Sequence, residues 1–234
     1  VSQCQSRLTE ILDSPDEVLV EAMREIMEPA NLLFTHHLDI TGQAGGAVQL
    51  LSTICEERLG DRSIALTLLG GLGDVDSAEP SFALWKLGRM AANSNELTSI
   101  FNAGLSDLDV RLRQSDIAQE FIEHFDNFLN VFGSRGPNEW ETACETWGTN
   151  PASVLTLIDR MRLTDEQNSP SVRSQELSKK REEATRNARK ELKGLGSWLF
   201  EKALHSSILF SQARERSKTT IVDLIHVARL ITRE

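Results

Sequence analysis

Apolar residues return every three or four positions along most of this chain, and no stretch sustains strict apolar–polar alternation or carries an Asn-Gly hairpin signal. That period is the helical one, so the expected fold class is all-α: an irregular multi-helix domain. The clearest segment is 115–132, where Phe121, Phe125, Phe128 and Phe132 fall on one helix face. Ser115 is its expected N-cap and Gly133 its C-terminal stop. Pro15-Asp16-Glu17 opens an earlier helix through Val18, Ala22, Ile26 and Met27. Pro29 is expected to break or kink it. A second segment then runs over 31–59, with Gly42, Gly45 and Gly46 inside it predicting close packing or a local break.

Further helices are predicted over 63–69, from Ser81 through Phe82, Trp85, Leu87 and Met90, over 93–104 and over 151–161. A glycine-rich turn, Gly70-Gly71-Leu72-Gly73, a polar loop over 74–80 and another over 164–174 separate them. The segment 176–193 differs: its apolar stripe is only Leu177, Ala184, Ala188 and Leu192, with seven basic residues against four acidic ones. It reads as a long, charged, exposed helix projecting from the body, ended by Gly194 and Gly196. A final long helix runs over 197–231. The expected organisation is one helical domain over 1–234; the alternative divides it into a helical body, 1–163, and the exposed helix plus the last helix, 175–234.

Charge narrows the function classes. There are 25 Lys and Arg against 35 Asp and Glu, a formal net charge of −10. A chain this acidic is a poor general ligand for nucleic acid or an anionic membrane, whose binding needs clustered cations. No apolar run approaches the roughly 20 residues that span a bilayer, and no basic-then-apolar leader opens the sequence. Val1, in place of Met, reads as the start of a trimmed chain or as the product of processing. Cys4, Cys55 and Cys144 are odd in number and widely spaced, which makes neither a disulfide framework nor a zinc knuckle and points to a reduced, cytoplasmic protein. No metal ligation is expected. Asp74-Val75-Asp76 and Asp107-Leu108-Asp109 are too sparse for an Asp-rich terpene-synthase helix, and Glu120 with His124 does not make the Glu-x-x-His pair of di-iron bundles.

Three stretches ask for more than helix packing. The first is Phe132-Gly133-Ser134-Arg135-Gly136-Pro137-Asn138-Glu139-Trp140-Glu141, continuing to Trp147 and Pro151. The second is Leu68-Leu69-Gly70-Gly71-Leu72, then Ser77 and Leu84-Trp85-Lys86-Leu87. The third is Ala213-Arg214-Glu215-Arg216-Ser217-Lys218, with Arg229 beyond it. In this order they resemble the central region of the phosphoenolpyruvate-utilising family, which includes phosphoenolpyruvate synthase-like proteins and the rifampicin phosphotransferases. In that family a Gly-His-Arg-Gly segment follows a long aromatic-rich helix, and an acidic pair, a Trp and an acidic-Pro step come next. Here Ser134 stands for the family's His and Asn150 for its Asp before Pro.

The phosphohistidine motif, a Walker-type loop and the ATP-grasp half are absent from the sequence. The resemblance therefore implies the substrate-side domain of a multidomain phosphotransferase or ligase, not catalytic alone. It implies a small-molecule acceptor, with ATP-grasp and phosphohistidine domains as its partners in the parent chain. ATP and Mg are expected for the parent and no cofactor for this domain.

The candidate site residues are cationic groups with acidic supports. Arg135, set between Gly133 and Gly136, could grip a phosphate or carboxylate bidentately; it could equally pair with Glu139 or Glu141 to fix its loop. Arg214 and Lys218 are four apart, on one helix face, while Arg214 and Glu215, being adjacent, are expected to diverge. Two such cations suit the charge of a transferring phosphoryl group, against the plainer reading of a solvated charged face. His36 and His37 point about 100° apart on a helix, so one could serve an acceptor hydroxyl as base, or both could be structural. A non-catalytic helical scaffold for the parent's mobile domain is the alternative function.

Overall fold

The computed structural model describes residues 14–72 and 78–232, whose regular elements are all helices, with no strand among them. Cys4, Ser77, Gly73 and the Asp74-Val75-Asp76 triplet lie outside the described residues. The helices are α1 (Asp16–Leu59), α2 (Ile64–Leu68), α3 (Glu79–Asn93), α4 (Asn95–Asn102), α5 (Leu108–Arg113), α6 (Gln119–Phe132), α7 (Pro151–Leu163), α8 (Pro170–Glu191) and α9 (Gly194–Ile231), with short 3-10 turns at Asp116–Ala118 and Glu166–Asn168. They form two compact units, neither continuous in sequence. The first takes the described residues of Val1–Ala30, Ala78–Pro170 and Thr220–Glu234, and the second those of Asn31–Ser77 and Ser171–Thr219.

The first unit is organised around the phenylalanine stripe. Phe121, Phe125 and Phe128 of α6 are buried with Leu84, Leu87 and Ala91 of α3 and Val154, Leu155 and Ile158 of α7. Phe121 stacks on Phe125 at 6.2 Å and meets Phe101 edge-on at 5.8 Å, geometries that add to simple burial. Gly88 lets α3 and α7 approach: a Cβ there would stand 2.7 Å from the Met161 Cβ. Arg89 of α3 then donates to the carbonyls of Met161 and Arg162, both at 2.6 Å, while its guanidinium lies over Trp85. These carbonyls fall at the α7 C-terminus, where helix carbonyls lack internal partners.

The second unit has its own core of Leu51, Ile54, Cys55, Ala65, Leu68, Ala188, Phe200, Ala203 and Leu204. α8 is charged and largely exposed, but it does not project. Ala188 and Leu192 are buried in that core and Ala184 packs against it, because even a thin stripe of small residues gains by leaving water. Arg189 of α8 makes a two-point pair with Glu201 of α9.

Several boundaries differ from expectation. α1 runs unbroken through Pro29 and the glycines. Gly42, Gly45 and Gly46 have no atom within 4 Å of the point where a Cβ would stand, so neither close packing nor a break is their reason. Ser115 gives no side-chain cap; a 3-10 turn comes between it and α6. α8 begins at Pro170, inside the expected polar loop, since Pro at a helix start costs no hydrogen bond. α5 was not anticipated; its signal is the pair Leu108 and Leu112, both buried.

Candidate functional site

In the second unit, the α1 and α9 residues of the candidate set gather around His37. Its Nδ1 lies 2.8 Å from the Ser217 Oγ, and that hydroxyl donates to the Arg214 carbonyl at 3.0 Å. A hydroxyl has one proton, so Ser217 must accept from His37 Nδ1–H, and the lone pair of the ring sits on Nε2. Thr41 Oγ1 lies 3.5 Å from that nitrogen. Burial holds the His37 pKa below the ordinary histidine value, helped by the charges of Arg214 and Lys218 and opposed by Glu215. His36, one residue away, is exposed, as the 100° step between neighbours requires.

Arg214 and Glu215 do not diverge. The guanidinium folds back to donate to the neighbouring carboxylate at 2.9 Å, because two long side chains on consecutive residues can meet beside the helix even when their Cβ atoms point apart. Both line a cavity of about 310 Å³ together with Ser211 and Gln212 on the polar side and Val48, Leu69 and Leu72 on the apolar side. The wall holding Leu69 and Leu72 is set by the glycine turn between them. Gly71 has φ +59, and a Cβ there would meet the Ser178 backbone N at 2.7 Å. Arg181 of α8 donates to the carbonyls of both Gly70 and Gly71, which ties the turn to the helix.

In the first unit, the loop between α6 and α7 carries Arg135, Glu139 and Glu141. Arg135 is 8% exposed and pairs with the similarly sheltered Glu139 carboxylate at 3.4 Å. The Glu141 carboxylate instead accepts from the Ala143 backbone N and the Thr142 hydroxyl within the loop. What anchors this loop is a residue that sequence reasoning placed only at the edge of a motif. Arg229 of α9 is fully buried and donates to the backbone carbonyls of Glu139 at 3.0 Å and Glu141 at 2.9 Å.

The substituted motif positions keep structural work. Ser134 donates to the Asp223 carboxylate at 2.7 Å. Asn150 caps α7 through the Ser153 N–H, with Pro151 as the first helical residue, and its amide donates to Glu145 at 2.6 Å. Trp147 packs on Phe128 at 5.5 Å between ring centres, which ties the loop to the phenylalanine core.

The sequence pattern of the rifampicin phosphotransferase fourth domain matches residues 36–215. The chain belongs to that family. The match spans both His36–His37 and the Gly133 loop, ends at Glu215, and leaves Lys218, Asp223, His226 and Arg229 beyond it. The resemblance to the rifampicin phosphotransferases is thereby shown, and with it a place among the domains of phosphotransferases. No curated protein matches the chain. Of the candidate residues, this fourth-domain chain places His36, His37, Arg214 and Lys218 in the second unit and Arg135, Glu139 and Glu141 in the first. Among the described residues, no helix is long and apolar enough to cross a membrane, and no three His, Cys, Asp or Glu side chains cluster as metal ligands would.

Proposed function

We propose that this domain holds the acceptor substrate of a multidomain, ATP-dependent phosphotransferase in which a swivelling phosphohistidine domain delivers the phosphoryl group. One observation carries the proposal: the cavity of about 310 Å³ in the second unit combines an apolar wall, Val48, Leu69 and Leu72, with Arg214, Glu215, Ser211 and Gln212. Its size and mixed lining are those of small-ligand sites. It suits an amphipathic compound that lays an apolar body on the leucines and turns hydroxyls toward the polar side.

The chemistry follows from the neighbouring residues. The acceptor hydroxyl oxygen attacks phosphorus, the P–N bond of the phosphohistidine breaks, and the hydroxyl proton leaves to a base. His37 fits that last role, because burial and two nearby cations disfavour its charged form and its Nε2 carries the lone pair. Arg214 and Lys218 supply positive charge for the transferring group. ATP and Mg act in the parent's nucleotide domain and not here. The isolated chain should therefore turn over no ATP.

Rifampicin, for which the family is named, is the first acceptor to test. Calorimetric titration of the chain should give saturable binding, weakened at least tenfold by Leu72→Trp, which fills the cavity, and by Arg214→Ala. Binding of rifampicin that ignores both changes, or no binding of it or of any compound in a panel of hydroxylated amphiphiles, would sink the assignment. The scaffold reading has an observation of its own: Arg214 is already paired with Glu215 and its side chain is 45% exposed. That reading expects the panel to fail.

A further inference from the structure

The second unit contains another cavity, of about 330 Å³, that shares no lining residue with the acceptor cavity. Arg181, Thr185 and Arg189 of α8 line it at four-residue spacing, with Glu182 and Arg186 on the adjoining row. Its apolar lining is Leu204 and Ile208 of α9 and Leu68 of α2.

Two of the three arginines are largely committed. Arg181 holds the Gly70 and Gly71 carbonyls and donates to the Ser178 Oγ at 3.0 Å. Arg189 spends Nε and Nη2 on the two carboxylate oxygens of Glu201, at 2.6 and 3.0 Å, which leaves Nη1 over. Arg186 differs: among the described residues no hydrogen bond or ion pair engages it. Glu182 and Glu183 stand four and three residues before it, spacings at which a carboxylate and a guanidinium can meet on a helix, yet neither pairs with it. Glu182 accepts instead from the Ser178 hydroxyl at 3.4 Å.

Charge selects the ligand. Arg181, Arg186 and Arg189 are set against Glu182 in the lining and Glu201 on its Arg189, an excess of one positive charge. Outside the lining, Glu183 and Lys190 lie within about one turn of Arg186 on either side and offset each other. α2 contains no titratable residue, and between Leu204 and Ile208 α9 has only His205, which is exposed. One added negative charge would therefore neutralise the site. Leu68 and Leu204 beside it are buried, and apolar surroundings strengthen an ion pair relative to open water.

We infer that this cavity binds a small monocarboxylic acid with a compact apolar body. The Arg186 fork and Arg189 Nη1 take the carboxylate, a match of planar donors to planar acceptors, and the body lies on Leu68, Leu204 and Ile208. The volume falls near the lower end of the roughly 300–1,000 Å³ of ligand sites, which suits one ring or two fused rings and not a macrocycle. The site is independent of the acceptor assignment.

The probe is 2-naphthylacetate, titrated into the whole chain at pH 7 and followed by backbone amide NMR. The expected result is saturable shifts at Thr185, Arg186, Arg189 and Leu204. The corresponding alcohol, the corresponding amine and plain acetate should each bind roughly tenfold more weakly or worse, the loss that goes with a hydrogen bond to a charged group or with the apolar body. Arg186→Gln, at an exposed position, should weaken 2-naphthylacetate to the same extent and leave the rest of the spectrum in place. Arg173→Gln, an equal loss of charge at an exposed α8 position outside the cavity, should leave binding unchanged. The probe comparison on the parent chain decides the matter if Arg186→Gln does not fold. The inference is overturned by the absence of saturable shifts at those residues, by the alcohol, amine or acetate binding as well as the acid, by full binding in Arg186→Gln, or by an equal loss in Arg173→Gln.

Discussion

Gly133 and Gly148 touch backbone to backbone: the Gly148 N–H donates to the Gly133 carbonyl at 2.8 Å, and a Cβ on Gly133 would stand 3.2 Å from the Gly148 Cα. Such a Cβ would also come within 2.3 Å of the Leu129 carbonyl. Gly133 itself keeps ordinary right-handed helical angles. Its glycine is therefore required by contact and not by a left-handed cap. The contact closes the loop that carries Arg135 and Glu139.

Gly133→Ala should accordingly destabilise the chain by roughly 1–3 kcal/mol or more, the range for overpacking, since the obstacles are backbone atoms that cannot swing aside. Gly45→Ala and Gly46→Ala should do the opposite. Both lie within α1 with open space where a Cβ would stand, and Ala is favoured over Gly in a helix by about 0.8–1 kcal/mol. Urea unfolding of the three variants should give midpoints on opposite sides of the parent; a neutral Gly133→Ala would refute the contact argument.

Arg229→Met should cost heavily, because the carbonyls of Glu139 and Glu141 would lose their buried donor. Each unsatisfied buried acceptor costs roughly 1–3 kcal/mol. Arg229→Lys should recover only part of the loss, as an ammonium cannot reproduce the planar fork. Hydrogen exchange in residues 138–148 should rise before global unfolding does.

Lys218→Ala should leave stability nearly unchanged and yet slow phosphoryl transfer in the parent phosphotransferase, if the charge of Lys218 serves the transferring group. A partly exposed lysine contributes within about 0.5 kcal/mol to folding. Equal transfer rates for variant and parent would remove Lys218 from the proposed machinery.

Stability should depend on pH through His37. Its folded pKa lies below the ordinary 6.5, so below pH 6.5 the unfolded chain binds a proton that the folded chain resists. Its contribution to stability therefore falls as pH drops from 6.5 through the folded pKa. Asp223 works in the other direction: its folded pKa lies above 3.8, so its contribution falls as pH rises from 3.8 through the folded value. Urea unfolding at pH 7.5 and 5.5 should show His37→Gln losing less stability on acidification than the parent. An identical loss in both would contradict the burial argument.

The sequence by itself determined the all-α class, the Phe121–Phe125–Phe128 core, the charged helix near Ala184–Ala188 and the family. All of these rest on local periodicity or on short ordered motifs, and the helical period is a property of the backbone alone. Gly42, Gly45 and Gly46 misled within α1, because open space beside a helix surface leaves the neighbouring turns free to carry the helix through. The folded chain decided the rest. That Ser134 meets Asp223, 89 positions away, and that Arg229 holds the carbonyls of Glu139 and Glu141, cannot be read from spacing, since hydrogen bonds between distant segments depend on which surfaces the cores bring together. The same holds for the two cavities: an apolar residue that lines a space and one that fills it carry the same pattern in sequence, and only packing separates Leu72 and Ile208 from Leu84 and Leu155.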